Sequence, residues 1–402
     1  MSREGEHDVS GLRAQRLAAR RAERRRAVRR SAMVAVASFV VAVGTATGMM
    51  SAFDDGRTPD QARPQVTGPP SRRPLPAVPS PSPATTSARP SPATPSAGPG
   101  PKSSPSKREP TTAAAPAQLY RHPESQVLDW VGAHPDDARR AVIESRIADR
   151  PAAVWFADFA PSTITARVRA VTAAAAAQDR VPVVVPYTIP DRDCGGASQG
   201  GAPDLAAYDA WIDKFAAGLG SGEVIVILEP DSVAQSDCLS EGRQADRFAS
   251  LARAGRVLKA ANPGVRVYFD GGHSEWNPAA KQASLLDQAG AASPAASDGI
   301  FTNVSNFHRT SDEIAYARQV LAGLGGPASL GAVIDTSRNG NGAPAGGEWC
   351  DPAGRKIGRA PTLTTGEAGI DAYLWVKLPG ESDGCKGTPG TFSPAYAYEL
   401  AR

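Results

Sequence analysis

The sequence predicts an α/β fold for its C-terminal part, a parallel β/α barrel of seven strands. From Pro151 onward, short β-branched or aromatic runs alternate with alanine-rich helical segments, which is how repeated βαβ units read. Residues 224–228 form a continuous β-branched run, as strands buried on both faces of a parallel sheet do. No Gly-x-Gly-x-x-Gly loop follows the first strand, which argues against an open nucleotide-binding sheet, and seven strands in about 250 residues suit a barrel.

The elements follow in order. Strand 153–156 brings Trp155, and the helix 164–178 after it contains the helix-forming run Ala173 to Ala177. Strand 181–187 delivers Tyr187, Arg192 and Asp193, and helix 205–218 returns the chain. Strand 224–228 ends in Leu228-Glu229-Pro230-Asp231-Ser232, a carboxylate pair at the mouth of an apolar run, before helix 244–261. Strand 266–270 presents Asp270, His273 and Trp276, with helix 278–289 behind it. Strand 299–304 gives Asn303, Asn306 and His308, with helix 311–324. Strand 331–335 gives Asp335 and Arg338, and strand 372–377 gives Lys377, Glu381 and Asp383. Every strand exit carries polar, charged or aromatic groups, and in a barrel those loops converge on one face. Carboxylates beside indole platforms describe a carbohydrate cleft: sugar C–H faces stack on rings while Asp, Asn, Lys and Glu fix the hydroxyls.

Composition divides the 402 residues into four regions. Residues 1–30 hold ten arginines and four acids, 31–53 no charge, and 54–117 eight basic and four acidic side chains. With +3 on the whole chain, residues 118–402 carry a net charge of −7. An acidic folded part excludes a nucleic-acid partner, which requires a basic patch. The Arg-rich start and the apolar stretch from Met33 to Val43 read as a secretory n-region and h-region, or as a signal anchor with its N-terminus inside. The protein is therefore expected to be secreted, or held outside the cytoplasmic membrane by that segment alone. Residues 54–117, rich in Pro, Ser, Ala and Thr, bury too little to fold and are expected to form a disordered tether.

All four cysteines, Cys194, Cys238, Cys350 and Cys385, fall in residues 118–402. An even count in an exported chain suggests two disulfides; three pairings are open, and the sequential one is expected. Without Cys-x-x-Cys or clustered histidines, neither a metal site nor a cofactor is expected.

Four blocks then stand out together: Tyr187-Thr-Ile-Pro-Asp-Arg-Asp-Cys-Gly195, Leu228-Glu-Pro-Asp-Ser232, Tyr268-Phe-Asp-Gly-Gly-His273 and Trp375-Val-Lys-Leu-Pro-Gly-Glu-Ser-Asp-Gly384. They resemble, in order, the signature blocks of glycoside hydrolase family 6, cellulases that invert configuration at the anomeric carbon. The resemblance runs from roughly Pro151 to the C-terminus. It implies a distorted, TIM-like barrel of seven strands acting as a monomer on β-1,4-glucan, with Asp231 as the general acid. Asp193 resembles the carboxylate that raises the acid's pKa and orients or deprotonates water, Asp383 the carboxylate often proposed as base, and Tyr187 the tyrosine that crowds the distorted sugar. Asp270 resembles a further central carboxylate, and Trp155, His273, Trp276, Asn303, Trp349, Lys377 and Glu381 fall where the family lines its sugar subsites. The implied cysteine pairing is again the sequential one.

The chemistry is consistent with the resemblance. Inverting hydrolysis needs a protonated carboxyl beside the leaving oxygen and a carboxylate about 6.5–9.5 Å away across the ring. A like charge raises the acid's pKa, and Arg192 is expected to steady the partner carboxylate. No cellulose-binding module is recognisable, and the stretch between Cys350 and Cys385 reads as a short, Gly-rich loop, which implies an open cleft and endo cleavage. Glu229 is expected to be structural, Trp375, Tyr373, Trp211 and Trp130 to serve the core, Asp335 and Arg338 to form a loop-holding ion pair, and His308 to be either a ligand contact or a structural group. Two rivals remain. A non-catalytic cell-surface β-glucan-binding protein would need no matched acid and base, and a metal-dependent deacetylase would need a His/Asp cluster.

Overall fold

In the computed structural model, residues 117–402 are described; the expected n-region, the apolar segment and all of the tether except Ala117 lie outside the described residues. The chain opens with β1 (Gln118–Leu119), α1 (Gln126–Ala133) and α2 (Arg140–Ile143), the last continued by a π-turn at Glu144–Ala148. Then come β2 (Val154–Phe156), α3 (Ile164–Ala176), β3 (Arg180–Val181), β4 (Val183–Pro186), α4 (Leu205–Ala216), β5 (Val224–Ile227), α5 (Glu241–Ala261) and β6 (Val265–Asp270). They are followed by α6 (Ala279–Gln288), β7 (Gly299–Thr302), α7 (Thr310–Leu324), β8 (Gly331–Asp335), β9 (Ile370–Leu374) and α8 (Pro394–Ala401).

Seven strands form one parallel sheet in the order β2-β4-β5-β6-β7-β8-β9, and the sheet curls into a distorted barrel. Its edge strands meet without a ladder: the Ala153 amide donates to the Trp375 carbonyl at 2.9 Å, and the Trp155 indole Nε1 to the Val376 carbonyl at 2.7 Å. Strand alternation divides the apolar side chains between two layers. Val224, Val226 and Leu228 point out to the helices, with Trp211, Phe215, Leu251 and Leu258, while Ile225 and Ile227 point into the barrel with Val183, Val185, Tyr268 and Val333.

Most expected strands shift by a residue or two at their ends, and two depart for a structural reason. The run at 181–187 is broken by Pro182, which has no N–H to donate; β3 pairs with β1, and β4 alone joins the main sheet. The last strand runs from Ile370 to Leu374 rather than over 372–377, because β8 ends at Asp335 and the chain beyond Leu374 turns to the opposite edge. Helix α1 bears out the helix expected around Trp130, while α2 and α8 were not legible in advance. All three are short, and they pack as a separate cluster around Trp375 and Leu378. Caps fix two of them: Ser125 accepts from the Leu128 amide at 3.5 Å, and Ser393, before a proline at the first helical position, accepts from the Tyr396 amide at 3.4 Å.

Candidate active site

The carboxylates gather at the C-terminal ends of the sheet strands, where β5 hands over to Glu229-Pro230-Asp231. Glu229 and Asp231 both adopt the left-handed region, with φ of 48° and 69°, a conformation that costs non-glycine residues about 1–2 kcal/mol and tends to mark functional sites. The turn sends the two carboxyls apart. Glu229 is fully buried and accepts from the amides of Thr188 (3.0 Å) and Ile189 (2.9 Å), tying the exit of β4 to that of β5. Asp231 is half-buried and faces Tyr187, whose hydroxyl donates to Oδ2 at 3.5 Å. Burial first, then the charges of Asp270 and Asp193, raise the Asp231 carboxyl well above the usual carboxylate range, and the Tyr187 bond offsets part of this.

Asp193, half-exposed with φ of 54°, accepts from the Ser198 amide through Oδ2 at 2.7 Å, and its Oδ1 has no hydrogen bond among the described residues. Its loop is clamped to that of Asp231 in three ways. Glu229 holds the 188–189 amides. The Cys194–Cys238 disulfide joins the loops covalently, with Cα atoms 6.0 Å apart. Arg247, buried on α5, donates to the carbonyls of Pro190 (2.7 Å), Asp191 (3.2 Å) and Ser232 (3.5 Å). Arg192 does not steady a carboxylate as expected: its guanidinium donates to the carbonyls of Ala157 and Ser198, both at 2.7 Å, and of Tyr187, and it lies 4.6 Å from the Tyr187 ring centre.

In the loop after β9, Asp383 is held by two cations, Arg338 at 2.7 Å and Lys377 at 3.4 Å, and by the Asp351 amide at 3.1 Å. Asp335 and Arg338 were expected as partners, but Arg338 turns to Asp383 while Asp335 accepts from the amides of Ser337 (2.9 Å), Lys377 (3.1 Å) and Ser305 (3.2 Å). Glu381 stands next to this group. Burial, outweighing the pull of Lys377 and Arg338, lifts its carboxyl to about 7. Cys350 and Cys385, also bonded sequentially, do not bracket one short loop: β9 lies between them, so the disulfide staples the loop before β9 to the loop after it.

The aromatic groups of these segments pair with one another. The rings of Trp155 and Tyr187 meet edge-on at 5.3 Å, and His273 stacks on His308 at 4.2 Å with Trp276 beside it at 5.2 Å. Burial, followed by the charge of His308, pushes His273 down to about 3, so it stays neutral at working pH. Trp349 is the one large hydrophobic side chain exposed among the described residues, at 58%. Two expected sugar contacts are instead sealed. Asp270 accepts from the amides of Val233 (3.0 Å), Ala234 (2.8 Å) and Gly272 (3.0 Å), and Asn303 bonds the His308 amide and the carbonyls of His308 and Asp335. With both side chains nearly devoid of surface, they hold the loops of their neighbours. Sequence reading missed Arg247 and Asp351. Arg247 is one basic residue in a long polar helix; for Asp351, a Cys-Asp-Pro turn beside a cysteine is the only signal the sequence offers.

The arrangement offers a carboxyl that keeps its proton, a second carboxylate with a free oxygen, and an ion-paired carboxylate on a separate strand exit. A family model described as glycosyl hydrolases family 6 matches residues 113–399. The chain is 54% identical to Endoglucanase 1 of Streptomyces sp. (strain KSM-9) over 292 residues, 72% of this chain and 80% of that protein. It is 51% identical to Endoglucanase A of Thermobispora bispora over 284 residues, 70% of this chain and 61% of that protein. Among solved structures, the endoglucanase of Mycobacterium tuberculosis in complex with methyl-cellobiosyl-4-deoxy-4-thio-β-D-cellobioside matches with a TM-score of 0.65 at 38% identity, covering 71% of this chain and 97% of that one.

Proposed function

The chain belongs to the glycosyl hydrolases of family 6, and from that premise we propose that it cleaves β-1,4-glucan internally with inversion at the anomeric carbon. The observation that carries the reading is the setting of Asp231: a half-buried carboxyl on the exit of β5, raised by burial and by two carboxylate neighbours and facing the Tyr187 hydroxyl. A group that holds its proton near neutral pH serves as a general acid, and Asp231 protonates the departing glucosyl oxygen. Water then attacks from the opposite ring face, activated by a carboxylate across the cleft. Asp193 and Asp383 are the two candidates. Asp193 offers a free Oδ1 to a proton, and Asp383 offers a carboxylate fixed in place by Arg338 and Lys377.

Trp155, Trp276 and Trp349 supply stacking surfaces, and Tyr187 crowds the sugar beside the acid. The names of the two bacterial relatives support endo cleavage, and the thio-linked cello-oligosaccharide bound to the Mycobacterium tuberculosis enzyme supports the substrate class. Two disulfides and the Arg-rich, apolar N-terminal sequence support action outside the cytoplasmic membrane, free or anchored by that segment.

A product time course on carboxymethylcellulose and cello-oligosaccharides, with proton NMR of the first-formed anomer, tests the reading. Internal cuts releasing the α anomer are expected, unaffected by EDTA. Initial release of the β anomer sinks the inverting assignment, and turnover of β-glucan by Asp231→Ala at the unsubstituted rate removes Asp231 from the mechanism.

A further inference from the structure

Asp351 sits in the loop between β8 and β9, one residue after Cys350, 4% exposed and with φ of 47°. Its carboxylate is the hub of the loop that follows β9. Oδ1 accepts from the Asp383 amide at 2.7 Å, while Oδ2 accepts from the Ser382 hydroxyl at 2.6 Å, the Lys386 amide at 2.8 Å and the Cys385 amide at 3.0 Å. The contact is reciprocal, because the amide of Asp351 donates to Oδ2 of Asp383 at 3.1 Å. Arg338 completes it, 2.7 Å from Asp383 and 4.0 Å from Asp351.

From this geometry we propose that Asp351 is the positioning residue that fixes Asp383 in the cleft. The inference rests on the reading of Asp383 as part of the catalytic apparatus. Four donors converge on one carboxylate, and charge-assisted bonds of this kind are stronger than neutral ones. Burial raises the Asp351 carboxyl, but the bonds from Ser382 and the three amides outweigh it and bring it below its ordinary range, so the ionised form is the one the loop is built around. The neighbouring disulfide limits how far the two loops can part, yet it satisfies none of these donors. Without Asp351 the amides of 383 and 385 lose their acceptor, the 386 amide keeps only the Ser382 hydroxyl at 3.2 Å, and the loop must turn to find another. Asparagine is a poor substitute: if its oxygen serves the three donors at Oδ2, its NH₂ faces the Asp383 amide, donor against donor.

The test is a cycle of Asp351→Ala, Asp383→Ala and the double variant in the full chain, with kcat and KM on cellotetraose. Thermal unfolding and calorimetric oligosaccharide binding accompany the kinetics. Asp351→Ala is expected to unfold cooperatively and bind oligosaccharide, with KM within about threefold and kcat down about 10²-fold. The double variant is expected to be no slower than Asp383→Ala, because the two act as a unit. If Asp351→Ala does not fold, Asp351→Asn carries the test, with a drop in kcat of about tenfold expected. An inactive Asp383→Ala beside an Asp351→Ala or Asp351→Asn of full kcat overturns the inference alone, as does a double variant whose losses multiply. Full activity of Asp383→Ala overturns the reading of Asp383 and the inference with it.

Discussion

Glu229 and Asp231 stand two residues apart on one strand exit and do opposite work, because the left-handed turn through Pro230 aims one at backbone amides and the other at the cleft. Their identity as carboxylates was plain from the sequence, but their division of labour was not, since it depends on which neighbour each meets. The pH dependence of catalysis should follow Asp231. Its carboxyl is raised first by burial and then by the charges of Asp270 and Asp193, so activity is present while it is protonated and lost as pH rises through its value. Asp193→Asn removes one like charge and leaves the rest of the pocket in place. The alkaline limb of the residual kcat/KM is therefore expected to move to lower pH, as a pH–rate profile on a cello-oligosaccharide, whose sugar leaving group needs the proton, measures. An alkaline limb that stays put or moves up rejects the electrostatic link between the two residues.

At the scale of elements, the site consists of strand-exit loops bound to each other more than to solvent. The loops after β4 and β5 share Glu229, Arg247 and the Cys194–Cys238 bridge; the loops flanking β9 share Asp351, Arg338 and the Cys350–Cys385 bridge. The first bridge closes a sequence separation of 44 residues, and its removal by Cys194→Ser/Cys238→Ser is expected to cost about 2–4 kcal/mol in urea unfolding. Because Glu229 and Arg247 still tie the loops, kcat should stay within about one order of magnitude of the unsubstituted protein. A complete loss of activity in a folded variant shows that the covalent link, not the buried polar clamps, aligns Asp193 with Asp231.

Over the whole molecule, buried ionisable groups make stability depend on pH. Glu313 is fully buried; one oxygen accepts from the Ser274 amide at 2.9 Å, while its other oxygen and Thr302 Oγ1 have no hydrogen-bond partner among the described residues. Burial raises Glu313 to about 7, above its ordinary 4.5. The folded state therefore holds this proton more tightly than the unfolded chain does. Its stabilising contribution is complete below the ordinary value and is lost as pH rises through about 7. His273 and His308, held neutral by burial, act in the opposite sense below 6.5, so the group is best isolated by difference. Glu313→Gln keeps the shape, cannot ionise, and offers a donor to Thr302. Its unfolding free energy in urea relative to the unsubstituted protein is expected to improve by about 1–3 kcal/mol between pH 5 and pH 8. A difference that is flat or falls with pH refutes the buried-proton account.

The sequence by itself determined the barrel and pointed to its strand exits as the candidate site. β-branched runs such as 224–228 suit strands buried on both faces, amphipathic helices cover them, and in a parallel barrel every strand exit must open on one face, so the residues after each strand were readable as a cleft. The even cysteine count implied two disulfides with three pairings open, and the sequential one, expected and also implied by the family resemblance, is the one the structure has. Tertiary structure alone decided which polar groups face the cleft and which are sealed beneath it. Asp270 and Asn303 lie in the same motifs as their cleft-facing neighbours, yet buried amides claim their side chains. Arg338 sits three residues from Asp335 in sequence and bonds Asp383 instead. Local sequence sets strand, helix and turn through periodicity and backbone preference. A buried hydrogen bond or ion pair is settled between residues far apart in the chain, by whichever unsatisfied donor or acceptor the packed fold brings within reach.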